Sequence, residues 1–235
     1  MSEDPLPQDS TPESEPPTLP EPRRRLVPVI SQPYLVEYPD LSAPIAWASL
    51  FGNDHPVELE VGSGKGLFLA NEASKRPETN FFGIEISRKY ALRATERVAK
   101  KALANVRVLP GDARLFLSKY TPSASLDAVH VYFPDPWWKK RHRKRRVYCE
   151  GLVVDLERVL RPGADLWVVT DVEEYFGVIL TLMASHPRFT KQAEPKPNEP
   201  GHELDYLTNF ERKYRIEGRP IHRAYYRFDE TVVRK

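Results

Sequence analysis

The chain has 235 residues with 40% hydrophobic content, enough to bury a substantial core, and its one cysteine excludes an internal disulfide or a cysteine-based metal cluster. Formal net charge is +2, but residues 1 to 22 hold seven prolines, six carboxylates and no Lys or Arg, so removing that −6 leaves +8 on residues 23 to 235 and points to an anionic partner. No apolar run is long enough to cross a bilayer and the acidic N-terminus lacks the basic-then-apolar plan of a secretion signal, so the expectation is a soluble, cytoplasmic protein with no membrane partner and no metal.

In chain order, residues 1 to 28 have the Pro, Ser and Glu content of a disordered acidic tail, and residues 29 to 235 read as a single domain. From Val57 onward short β-rich runs alternate with helical patterns. The expected strands are Val57 to Val61, Phe81 to Ile86, Val106 to Leu109, Ala128 to Phe133 and Leu166 to Thr170. Between and after them come helices at Leu67 to Lys75, Arg88 to Leu103, Ala113 to Lys119, Tyr148 to Leu160 and Glu173 to Ser185. Such alternation predicts crossover connections and a mostly parallel α/β sheet with helices on both faces, whose ligands bind beyond the carboxyl ends of the strands. Residues 194 to 203 read as a surface loop, and Pro220 to Phe228 as an added edge strand. Cys149 reads as a small half-buried residue rather than a nucleophile.

The first strand runs into Glu60-Val61-Gly62-Ser63-Gly64-Lys65-Gly66-Leu67. Leu67 stands where a dinucleotide fingerprint requires its third glycine, and no Gly-Lys-Ser/Thr follows as a phosphate loop would require. Glu60, two residues before Gly62, would repel a pyrophosphate but attract a cationic ligand, and S-adenosylmethionine carries an ammonium and a sulfonium with no phosphate. Gly62 and Gly64 allow close backbone approach. Glu85 ends the second strand 19 residues after Gly66, where an acid accepts from ribose hydroxyls, and Asp112 follows the third strand, where it can accept from an adenine amine.

Residues 133 to 146 read Phe-Pro-Asp-Pro-Trp-Trp-Lys-Lys-Arg-His-Arg-Lys-Arg-Arg. Asp135 is locked between Pro134 and Pro136, Trp137 and Trp138 offer flat faces for a nucleobase, and the cations from Lys139 to Arg146 can neutralise phosphates whatever the base sequence. The bland alternative is a proline turn leading into a solvated basic helix start.

Together with Gly83-Ile84-Glu85, Gly111-Asp112-Ala113, Thr170-Asp171 and Thr208-Asn209-Phe210-Glu211, these motifs resemble the bacterial tRNA (guanine-N7-)-methyltransferases of the TrmB type, over about residues 34 to 228. The resemblance implies the class I S-adenosylmethionine-dependent methyltransferase fold, a Rossmann-like, mostly parallel seven-stranded sheet with an antiparallel last strand. It also implies methyl transfer from S-adenosyl-L-methionine to N7 of guanosine, at position 46 in the variable loop of tRNA. By matching positions it makes Glu60, Gly62, Gly64, Glu85, Asp112 and Asp135 cofactor contacts, with Asp135 also at the catalytic centre. Lys139, Asp171, Thr208, Asn209, Phe210 and Glu211 become substrate contacts, and Arg141, His142, Arg143, Lys144, Arg145 and Arg146 RNA contacts. The implied partner is tRNA, bound by a monomer or homodimer. This chain departs from the family at Trp138, where relatives often carry His. Two other readings carry distinct marks: an exocyclic-amine methyltransferase of RNA or DNA would place a second proline after Asp135-Pro136, and a non-catalytic RNA-binding protein would not need the strand-end acids.

Overall fold

A computed structural model describes residues 33–193 and 208–231, so the acidic tail and the loop expected at 194 to 203 lie outside the described residues. Seven strands form one sheet in the order β3-β2-β1-β4-β5-β7-β6. They are β1 (Val57–Val61), β2 (Asn80–Glu85), β3 (Val106–Pro110), β4 (Leu126–Tyr132), β5 (Leu160–Thr170), β6 (Phe189–Gln192) and β7 (His222–Phe228). β1 to β5 pair in parallel, and β7 runs antiparallel to both β5 and β6. The single reversed strand agrees with expectation, but β7 is not at the edge. The short β6, absent from the sequence reading, lies outside it.

Among the described residues seven α-helices connect or flank the strands: α1 (Trp47–Phe51), α2 (Leu67–Lys75), α3 (Arg88–Lys100), α4 (Ala113–Lys119), α5 (Glu150–Val159), α6 (Glu173–Ala184) and α7 (Asn209–Ile216). The two faces of the sheet are covered separately. Val57, Leu59 and Val61 of β1 join Phe82, Leu109 and Val131 in a core shared with α4, α5 and α6, whereas Phe81, Val106 and Val108 pack with Phe68 of α2 and Ala94 and Val98 of α3. Alternation along β1 therefore sends Glu58 and Glu60 into the face beneath α2.

On that face a polar strip crosses the sheet. Arg76 donates through both terminal nitrogens to Glu58, at 2.5 and 2.9 Å, and Glu58 Oε2 lies 2.9 Å from Nε2 of His130. An ionised carboxylate only accepts, so Nε2 carries the proton there. Nδ1 of the same ring lies 2.8 Å from the Tyr132 hydroxyl, and Phe68 packs on the imidazole at 4.6 Å. Burial alone would push the Glu58 carboxyl up; the hydrogen bond and charge of His130, then those of Arg76, bring it down to about 2.

Beyond β3 the chain adds a strap. Val36 N–H donates to Val108 O at 2.9 Å and Val108 N–H donates to Tyr34 O at 2.8 Å, which covers part of an otherwise open edge. Among the described residues no helix is long and apolar enough to cross a membrane.

Candidate active site

The carboxyl ends of β1 to β5 carry the residues that the sequence singles out. After β1 the backbone turns through Gly62 (φ +77°) and Gly64 (φ +53°), where a side chain would point into open space. Gly66 differs: its φ is +68°, and a Cβ there would stand 2.7 Å from the Cβ of Ala94 on α3. Two glycines thus leave room for a ligand and the third lets α2 start against α3.

Glu85 ties this loop to the next one. Its Oε2 accepts from Gly64 N–H and its Oε1 from Ser87 N–H, both at 2.8 Å. A carboxylate has about four acceptor sites, so capacity remains for ligand hydroxyls. Glu60 is 3% exposed, and its Oε2 has no hydrogen-bond partner. Burial pushes its carboxyl well above the ordinary range, and the nearby Glu85 adds to the effect. A buried carboxylate without a partner costs free energy unless something else meets it. These features fit S-adenosylmethionine: an orphaned acid for a cationic amino-acid end, an acid with spare capacity for ribose hydroxyls, and a loop with open space at two glycines.

Asp112 does two jobs. It caps α4 by accepting from Arg114 N–H at 2.9 Å, and its main-chain carbonyl accepts from the Tyr38 hydroxyl at 3.1 Å. Its other carboxylate oxygen lies 3.8 Å from the Arg114 guanidinium at the surface. Ile86, expected as the last residue of its strand, instead lies just past β2 and is 75% exposed beside Glu85.

After β4 the chain enters the Pro-Asp-Pro turn. Phe133 and Trp137 flank it with φ of +51° and +43°, conformations that cost a bulky side chain about 1–3 kcal/mol each and persist where the surroundings over-determine them. Phe133 N–H donates to Val169 O at 2.7 Å, which extends the pairing of β4 with β5. At the other end the carbonyl of Pro136 accepts from Arg146 Nε at 2.7 Å. Asp135 lies exposed between these two anchors and makes no hydrogen bond or ion pair among the described residues.

The basic run does not continue as an α-helix. Lys140–Arg145 form a 3-10 turn with no buried residue, and Lys139, Arg141, Arg143, Lys144 and Arg145 are exposed. Trp137 lies beneath this turn, with the Arg145 guanidinium 5.1 Å from its ring and His142 edge-on at 5.8 Å. It therefore supports the basic turn, while Trp138, 60% exposed, remains free to meet a base. Arg146 departs from the expected RNA-facing set. It is 7% exposed with its guanidinium 4.6 Å from the ring of Tyr175, because its side chain turns inward to reach the Pro136 carbonyl.

The substrate residues divide similarly. Asp171 is largely buried and pairs with Arg219, whose guanidinium stacks 4.2 Å from the Tyr214 ring. Thr208 caps α7 by accepting from Glu211 N–H at 3.0 Å. Glu211 faces inward between Arg215 and Arg223, at 3.0 and 2.7 Å, rather than opening toward a substrate. The Thr-x-x-Glu spacing is itself a helix-start signature, which accounts for the buried placement of both ends. Between them Asn209 and Phe210 are exposed, and Phe133 packs against Phe210 at 6.1 Å and Tyr214 at 5.4 Å. The structure thus joins α7 to the Asp135 turn through rings that sequence reasoning did not connect.

Comparison with known proteins adds independent findings. Residues 54–224 match a methyltransferase family model described as "Putative methyltransferase". The chain is 48% identical to the tRNA (guanine-N(7)-)-methyltransferase of Rhodopirellula baltica, over 80% of this chain and 72% of that protein. To the protein of the same name from Geobacter metallireducens it is 35% identical, over 84% and 94%. Among solved structures it superposes on the 16S rRNA methyltransferase KamB with a TM-score of 0.58 at 18% identity, covering 78% of this chain and 92% of that one, a likeness of fold.

Proposed function

The chain belongs to the tRNA (guanine-N(7)-)-methyltransferase family, and from that premise we propose how its own residues transfer a methyl group from S-adenosylmethionine to N7 of a guanosine in tRNA. The observation that carries the proposal is Asp135, an unpartnered carboxylate in a strained turn at the end of β4, next in the sheet to the strand that bears the orphaned Glu60.

When bound, S-adenosylmethionine supplies an electrophilic methyl on a sulfonium, whose positive charge passes to the purine as the methyl is transferred. Guanine N7 presents a lone pair and no proton, so no residue has to act as a general base and positioning dominates. Glu60 meets the cationic end of the cofactor and thereby gains the partner it lacks. Glu85 would accept from ribose hydroxyls and Asp112 from the adenine amine, and exposed Ile86 beside Glu85 would offer the base an apolar neighbour. Asp135 faces the purine and stabilises the positive charge that develops there, more strongly than it stabilises the neutral base in the ground state. Asp171, released from or shared with Arg219, accepts from the Watson–Crick edge of guanine, and exposed Phe210 offers a ring to the base. Lys139 to Arg145 hold phosphates, so each lost contact should lower the slope of log K against log salt by about 0.7–0.9.

The target at position 46 of the variable loop, and action in the cytoplasm, follow the family resemblance. The decisive experiment incubates the protein with labelled S-adenosylmethionine and unmodified tRNA, then cleaves chemically at 7-methylguanosine. Cleavage at one variable-loop guanosine is expected. Label recovered in an exocyclic-amine nucleoside, or no label despite bound tRNA, overturns the reading.

A further inference from the structure

Seven basic residues lie between Lys139 and Arg146; six are exposed and one, Arg146, is buried. A buried guanidinium is costly unless its donors and charge are met, so its partners reveal what it is for. Arg146 Nε donates to the carbonyl of Pro136 at 2.7 Å, one residue past Asp135. Its planar face lies 4.6 Å from the ring of Tyr175, which is fully buried on α6 and offers a fixed platform. The neighbouring Arg145 stacks on Trp137 at 5.1 Å. Two consecutive arginines therefore hold the far side of the turn, one by its indole and one by its backbone.

The near side is held by Phe133 N–H on Val169 O at 2.7 Å, and the positive φ values of Phe133 and Trp137 mark a turn that its surroundings must hold in place. We propose that Arg146 is a positioning residue for methyl transfer: it fixes the peptide beside Asp135 and so sets where that carboxylate faces the purine, while the six cations before it grip the RNA. The inference rests on the reading of Asp135 as the group at the reacting base. A further consequence is that the phosphate grip and the Asp135 turn are one clamped piece of chain, so tRNA seated on Lys140–Arg145 is registered directly to the reacting centre.

The test separates placement from RNA affinity. Arg146→Lys keeps the charge but loses the planar face and the Nε geometry, and Arg146→Gln keeps a donor without charge. For each, kcat and tRNA KM are measured separately, with the salt dependence of tRNA binding and the melting temperature. The expected result is a kcat lower by about 10- to 100-fold with tRNA KM and salt slope unchanged, since small misplacement costs rate rather than affinity. Arg143→Ala should show the opposite split, with KM raised and the slope shallower by about 0.7–0.9. Should the Arg146 variants fail to fold, Tyr175→Met, which removes the aromatic face and keeps most of the volume, reads the same split. Raised KM with a shallower slope in the Arg146 variants, or unchanged kcat, overturns the inference while the wild type still forms 7-methylguanosine. A wild type that forms none overturns the functional reading and this inference with it.

Discussion

Glu58 and Glu60 stand two residues apart on one face of β1, and both are buried, yet their surroundings are opposite. At the foot of the strand Glu58 has Arg76 on one side and His130 on the other. At the mouth Glu60 has an oxygen with no partner and a second carboxylate, Glu85, close enough to disfavour its charge. Residue type, strand and face are held constant, so the difference lies in what the fold supplies. A satisfied buried acid belongs to the architecture, and an unsatisfied one at a strand end waits for a ligand.

The largest expected effect falls at the foot. Glu58→Gln strips the charge partner from Arg76 and His130 and should lower unfolding free energy by about 3 kcal/mol in denaturant titration, with cofactor affinity of the folded fraction retained. A variant as stable as wild type would place Glu58 in the same class as Glu60. Next comes the turn beside the mouth: Asp135→Asn keeps shape and loses charge, and should reduce single-turnover methylation about 100-fold with tRNA still bound. At the mouth itself, Glu60→Gln should weaken S-adenosylmethionine about 10- to 30-fold by calorimetry while raising the melting temperature of the cofactor-free protein. A fall in that temperature would reveal a stabilising partner for Glu60.

Acid titration contrasts the pair in one experiment. The Glu58 carboxyl is lowered from 4.5 to about 2 in the folded protein, so its contribution is complete above pH 4.5 and disappears as pH falls toward 2. The Glu60 carboxyl is raised, so its burden on the fold grows as pH climbs above the ordinary 4.5 and levels off once its folded value is passed. Stability measured against pH should therefore lose part of its acid limb in Glu58→Gln and keep it in Glu60→Gln. The smallest effect is expected far from both, at Trp138→Ala, which should change stability by less than about 0.5 kcal/mol because the ring is 60% exposed. A rise in tRNA KM there would identify Trp138 as a stacking face.

The central elements were legible in the sequence because short β-rich runs alternate with helical-period stretches and are set off by glycine and proline turns; the bounds expected for β1, α2 and α4 coincide with those observed. β6, reading Phe-Thr-Lys-Gln, was not legible, since four residues with two exposed carry almost no periodic signal. The strand-end acids could be located from loop spacing, but their satisfaction could not. The place before Gly62 singles out Glu60 but does not show that Glu58 is the paired acid, because the partners that divide them come from the C-cap of α2 and from β4. Arg146 was hidden for the same reason, as the last of several like residues whose inward turn depends on a carbonyl ten positions earlier and a ring on α6. Glu211 looked available for a base because Arg223, one of the residues that holds it, lies on a strand twelve positions away.

The close approach of Gly66 to Ala94 also limits how this chain can change. A Cβ at position 66 would meet the Cβ of Ala94 at 2.7 Å and its Cα at 3.0 Å, so shrinking the neighbour to glycine would relieve only part of the collision and none of the left-handed backbone. Any growth at 94 would press on the start of α2 from the other side. The two positions should vary together across homologues or not at all, which makes a small residue in the middle of α3 as much a heritable part of the cofactor loop as the glycines themselves.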